Sequence, residues 1–127
     1  MAELIRKNYS TLGQVKGPYV HAMKHNETLY ISGLTAFGTV SQGKSMAEQA
    51  EEIFSQFHRI ASAENTSLHS LIKVTIFVTS LDDIEQLRAV LFHHFGAHLP
   101  ASSLVQVTQL FSPEINVEIE AILALSI

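Results

Sequence analysis

The sequence predicts an α+β domain in which two amphipathic helices cover one face of a mixed sheet of about six strands. Three observations predict it. Two segments carry apolar residues at steps of three and four, several others alternate with the two-residue period of strands, and the order along the chain is strands, helix, strand, helix, strands. The 127 residues suit a single domain, 1–127, long enough to bury about two thirds of its unfolded surface.

Residues 8–18 are polar and hold Gly13, Gly17 and Pro18, which reads as an entry strand or loop. Tyr19 to Lys24 and Thr28 to Leu34 flank the short connection His25-Asn26-Glu27, a hairpin signal. In its second strand Leu29, Ile31 and Gly33 are expected on one side, with Tyr30, Ser32 and Leu34 on the other. After a glycine-containing loop from Thr35 to Lys44, Ser45-Met46-Ala47-Glu48 forms a capping box that starts a helix. Its stripe is Met46, Ala50, Ile53, Phe57 and Ile60, thickened by Phe54 and Ala61.

Leu71 to Val78 is a strand, with Ile72, Val74, Ile76 and Val78 on one side and Lys73, Thr75 and Phe77 on the other. Ser80 is placed to cap a second helix whose first turn holds Asp82, Asp83 and Glu85. Ile84, Leu87, Leu91 and Phe95 form its stripe, and Gly96 ends it. Ser102 to Val107 and Asn116 to Ala124 are the last strands. No internal repeat is obvious, although strand, helix, strand occurs twice in weak form.

The final strand carries the functional argument. Val117, Ile119, Ala121 and Leu123 share a core face, whereas the other side mixes Glu118 and Glu120 with Ile122 and Ala124. With both helices on one face, the other collects Tyr30, Ser32, Phe77, Leu104, Glu120, Ile122 and Ala124. Such a face, apolar yet acid-bearing, is expected to be covered by another copy of the chain.

Composition excludes several chemistries. There is no cysteine, hence no disulfide, thiolate nucleophile or thiolate metal site. The net charge is -4 and the eight basic residues are scattered, so no nucleic-acid-binding stripe exists. No segment has the apolar length of a membrane span, and the first residues lack a secretory signal, which makes cytoplasm the expected location. Seven histidines invite a metal reading, but Gly96 separates His94 from His98 and the adjacent His93 and His94 point apart, so no metal is expected. Nucleotide-binding glycine loops and a serine nucleophile elbow are also lacking.

Gly17-Pro18-Tyr19-Val20, Ile31-Ser32-Gly33, Ile72-Lys73-Val74-Thr75-Ile76-Phe77-Val78, Pro100-Ala101 with Ser103, and Val117-Glu118-Ile119-Glu120-Ala121-Ile122 together resemble the YjgF/RidA family over essentially the whole chain. The resemblance implies a chorismate-mutase-like fold, a homotrimer with small-molecule clefts between subunits, and hydrolysis of reactive enamines or imines without metal or other cofactor. It assigns Tyr19 and Ser32 to the cleft and Glu120 to water. Gly33 would let a ligand approach the backbone.

One departure matters more than the matches. Where active deaminases of the family carry the arginine that grips the substrate carboxylate, this chain has Ser102; Leu104 and Leu34 likewise replace a cysteine and a glutamine, implying a more apolar cleft. Arg88 is a candidate substitute cation, with pairing to Glu85 as the alternative. Three functions follow in order: imine hydrolysis with an altered substrate, a non-catalytic metabolite-binding or sensing trimer, and, least favoured, a ribonuclease.

Overall fold

A computed structural model describes residues 3–125. The strands are β1 (Leu4–Lys7), β2 (Ala22–His25), β3 (Thr28–Leu34), β4 (Leu71–Val78), β5 (Ala101–Gln106) and β6 (Val117–Ala124); the helices are α1 (Met46–Ala63) and α2 (Ile84–Phe95). One six-stranded sheet runs β1-β2-β3-β6-β4-β5. Because β3 and β4 are both antiparallel to β6, they run parallel to each other with β6 between them, and β4 and β5 pair in parallel through α2. The two strand-helix-strand units are therefore real, and the first is split by the final strand.

Both helices bury their stripes on one side of the sheet. Ile53, Phe54, Phe57 and Ile60 of α1 are fully buried, as is Leu87 of α2, and they join Val74, Ile76, Ile119 and Leu123 in one core. Each such side chain contributes about 1.5–3 kcal/mol through burial. The serine half of the capping box forms, with Glu48 N donating to Ser45 Oγ at 3.2 Å, but the Glu48 carboxylate accepts from the serine hydroxyl at 3.0 Å and not from the Ser45 amide. Gly96 ends α2 with φ 58°, a conformation that favours glycine.

One local expectation is resolved and three are corrected. The N-terminal strand lies at Leu4–Lys7, ahead of the predicted entry segment, which takes the loop alternative with a 3-10 turn at Ser10–Leu12. Helix α2 begins at Ile84, because Ser80 Oγ accepts from Asp82 N at 3.0 Å and is spent on a local turn. A register shift between Leu71 and Lys73 sends Leu71 into the core and leaves Ile72 exposed. A second shift, between Ile31 and Leu34, turns Leu34 into the core opposite Ile119, so it does not line the uncovered face.

Polar contacts fix the ends of α1. Fully buried Gln49 donates to Lys44 O and Glu114 O at 3.0 and 2.9 Å and accepts from Asn116 N at 3.1 Å, holding the two segments that lead into α1 and β6. At the other end, Tyr9 Oη donates to Glu64 at 2.7 Å and Lys7 approaches the same carboxylate oxygen at 3.2 Å. Tyr9 N donates to His21 Nδ1 at 2.8 Å, which puts the imidazole proton on Nε2. Burial holds His21 below the usual histidine range, as this accepting role requires.

Candidate functional site

The face opposite the helices presents two cross-strand rows. Tyr30, Ile122, Lys73 and Ala101 stand side by side on β3, β6, β4 and β5; Glu120, Thr75 and Ser103 form the next row. Lys73 Nζ donates to Ser103 Oγ at 3.1 Å, confirming that these side chains share a face. A hollow of about 190 Å³ lies between Tyr30, Lys73, Thr75, Glu120 and Ile122. Glu120 is exposed within the single chain, and Tyr30 is half exposed beside it. The arrangement supplies an acceptor carboxylate, an ammonium, a hydroxyl and an aromatic wall around one shallow space.

The sequence-derived residues distribute unevenly around this hollow. Ser32 adjoins the site through β3, but its hydroxyl donates to Val20 O at 2.7 Å and its amide to His21 O at 3.0 Å, so its own proton is committed to tying β3 to the chain before β2. Its oxygen remains an acceptor. Tyr19 is exposed, with its ring folded over Gly17 and its amide donating to Gly17 O at 2.9 Å. It does not line the Glu120 hollow within the chain.

Ser102 and Leu104 pair with Val74 and Ile76, whose side chains point to the helix side. Leu104 is thus corrected from the open face to the opposite one, at an edge of the sheet where both residues stay exposed. Arg88 belongs to the helix layer and is engaged by Glu85 at 2.7 Å, with both side chains exposed. Within one chain, Glu120 therefore meets neither Ser102 nor Arg88. Lys73, Thr75 and Ser103 take the adjacent positions. Their alternation was readable in the sequence, but not which strand pairs with β6.

Gly33 has a different task from the one expected. A Cβ at this position would lie 2.1 Å from Glu118 Oε2 and 2.9 Å from its Cδ, so the space above the glycine is filled by the Glu118 carboxylate rather than left for a ligand. That carboxyl is pushed above the usual range, first by burial and second by Glu120, two residues along the same face. Gly33→Ala is expected to push the carboxylate toward water and return its titration toward 4.5. A carboxyl-carbon NMR titration checks this, and an unchanged Glu118 midpoint refutes it.

The same shift has a consequence for stability. Because the folded protein holds the Glu118 proton more tightly than the unfolded chain, the ionised group disfavours folding as pH rises through its raised pKa. Glu118→Gln is expected to raise the thermal midpoint at neutral pH, with the gain vanishing below pH 4.5, where both states are protonated. Melting curves across pH read this out, and a gain confined to acid contradicts it.

Two helices backing one face of a mixed six-stranded sheet, with an exposed acid on the other face, define a small α+β protein. Comparison narrows the class. The family model described as Endoribonuclease L-PSP matches residues 11–125, and the chain belongs to this family, YjgF/RidA. Protein MMF1, mitochondrial, of Saccharomyces cerevisiae is 32% identical over 130 residues, covering 94% of this chain and 87% of its own. A 2-iminobutanoate/2-iminopropanoate deaminase of Bos taurus is 30% identical over 128 residues, covering 96% and 92%. Among solved structures, a protein of unknown function from Pseudomonas aeruginosa matches with TM-score 0.90 at 26% identity, over 100% of this chain and 96% of the other.

Proposed function

We propose that the Glu120 face is the floor of a small-molecule cleft completed by a neighbouring copy in a homotrimer, and that this cleft hydrolyses the C=N bond of imines that lack a carboxylate. The observation that carries this reading is Glu120, an acid standing exposed between Tyr30, Ile122, Lys73 and Thr75 on a face otherwise suited to burial. The relatives named as 2-iminobutanoate/2-iminopropanoate deaminases support the reaction class. A second copy would bring its exposed edge strand, with Ser102 and Leu104, toward a neighbour's Glu120, which a single chain cannot do.

The chemistry needs no cofactor. Glu120 takes a proton from water as the oxygen adds to the imine carbon, the nitrogen gains a proton, and the resulting carbinolamine collapses to a carbonyl compound and ammonia. An enamine enters after protonation at carbon converts it to the imine.

Ser102 decides the substrate. A guanidinium makes two parallel charge-assisted bonds to a carboxylate, worth about 1.5–3 kcal/mol each, and a serine hydroxyl does not replace them. Slow turnover of imino acids is expected, and Ser102→Arg is expected to raise it by at least about tenfold. The assay follows ammonia from enzymatically generated 2-aminoacrylate and from a neutral imine. Rates equal to the spontaneous ones for both substrates, in wild type and variant alike, sink the hydrolase.

The missing guanidinium also favours a second reading, in which the cleft binds a neutral metabolite without converting it. A thermal shift with an uncharged ligand and no turnover would select it. The ribonuclease reading stays last, because a net charge of -4 and scattered basic residues offer little to phosphates. No helix among the described residues is long and apolar enough to cross a membrane. A cytoplasmic location belongs to this proposal, with the mitochondrial name of the yeast relative pointing to the alternative that fractionation would reveal.

A further inference from the structure

A second hollow, about 460 Å³ and open to solvent, lies across the helices on the far side of the sheet from Glu120, lined by Glu51, Ser55, His58, Arg59, Ser62 and His94. His58 projects from α1 and His94 from the last turn of α2. His58 Nε2 and His94 Nδ1 face each other at 3.2 Å, and His94 Nε2 is 2.6 Å from Glu51 Oε1. The His94 ring is stacked on Phe54, with centroids 4.5 Å apart and planes 6° from parallel.

These contacts fix His94 in orientation and tautomer. An ionised carboxylate only accepts, so Nε2 carries the proton and Nδ1 is left with its lone pair toward His58. The spacing is informative: two imidazole nitrogens bound at about 2.0–2.1 Å to one tetrahedral ion stand about 3.3 Å apart. A carboxylate on the far nitrogen of a ligating histidine is also the usual support for such a ligand. Arg59 does not oppose a cation here with a free charge, since its guanidinium is held by Glu52 at 3.3 Å and by Thr11 O.

We propose that His58 and His94, oriented by Glu51, form a two-histidine site for a borderline divalent transition ion of the zinc, copper and nickel class, bridging α1 and α2. Imidazole nitrogens favour such ions over magnesium or calcium. No group of three histidine, cysteine or carboxylate ligands gathers elsewhere or here among the described residues, so water from the open hollow fills the remaining positions. The site is independent of the Glu120 cleft and of its reaction.

Calorimetric titration of the metal-free protein with Zn2+ tests it. One ion per chain is expected. His58→Ala, an exposed position whose loss spares the core, abolishes binding, and Glu51→Gln weakens it about 10–100-fold. His98→Ala, which removes a ring stacked on His69 away from the site, leaves it unchanged. Because an ion that binds only the folded chain stabilises it, Zn2+ also raises the melting temperature of wild type but not of His58→Ala. Absence of binding, or an affinity indifferent to His58→Ala, overturns the proposal and leaves the trio as a hydrogen-bonded link between helices.

Discussion

Glu120→Gln is expected to lower imine hydrolysis by about 10²–10⁴-fold, the usual contribution of a positioned general base. The amide keeps the size and hydrogen-bonding reach of the side chain but cannot take a proton from water. Exposed as it is in the single chain, Glu120 makes no contact that the core depends on, so circular dichroism and the melting temperature should scarcely move. The effect should fall on kcat rather than KM, since the lost interaction forms as water attacks. A variant retaining wild-type turnover would remove Glu120 from the chemistry, and a loss traced to unfolding would leave the assignment without support.

Gln49→Leu is expected to destabilise the fold by cutting the one buried side chain that ties the start of α1 to the approach to β6. The substitution is close in volume, yet it strips partners from Lys44 O, Glu114 O and Asn116 N, all near the start of α1 and of β6. Glu114 O keeps the Gly43 amide at 3.1 Å and Lys44 O keeps the Asn116 side-chain amide at 3.5 Å, so Asn116 N is the group left unpaired, at about 1–3 kcal/mol of the roughly 5–15 kcal/mol that holds a domain together. Denaturant unfolding measures it. A midpoint within experimental error of wild type would show that water replaces the amide at no cost. The segment released by this change delivers β6, so the position of Glu120 should loosen with it.

How much of this was legible in the sequence differs from element to element. The serine cap at Ser45 and the Gly96 stop are local chemistry, and the structure has both. Ser80 was misleading for a local reason as well, because a serine two residues before an available amide can close a turn as readily as it can cap a helix. Alternation assigned the faces of β6 and most of β3 and β4 correctly, and it broke only past the register shifts, which displace Leu34 on β3 and Ile72 on β4 from their expected sides.

The site was legible one residue at a time, not as a constellation. Glu120 announced itself as an acid among apolar neighbours, whereas Lys73, Thr75 and Ser103 join it only through pairings between distant strands. Gln49 was passed over because a polar residue on a helix reads as solvent-facing unless its partners are known. Likewise, the sequence sets His94 beside His93 and near His98, and only the packing of α2 on α1 brings it to His58 and Glu51.

The central place of β6 also bears on how the protein folds. The strand that joins β3 to β4 comes from the opposite end of the chain to β3, so the middle of the sheet closes only after a long loop has been drawn together. Helices α1 and α2 can form early from local contacts, but until β6 docks, β3 and β4 each present an unpaired edge of the kind that recruits other chains. Refolding should therefore be slow for a protein of this size and increasingly lossy at high concentration, with the yield set by how quickly that last segment inserts.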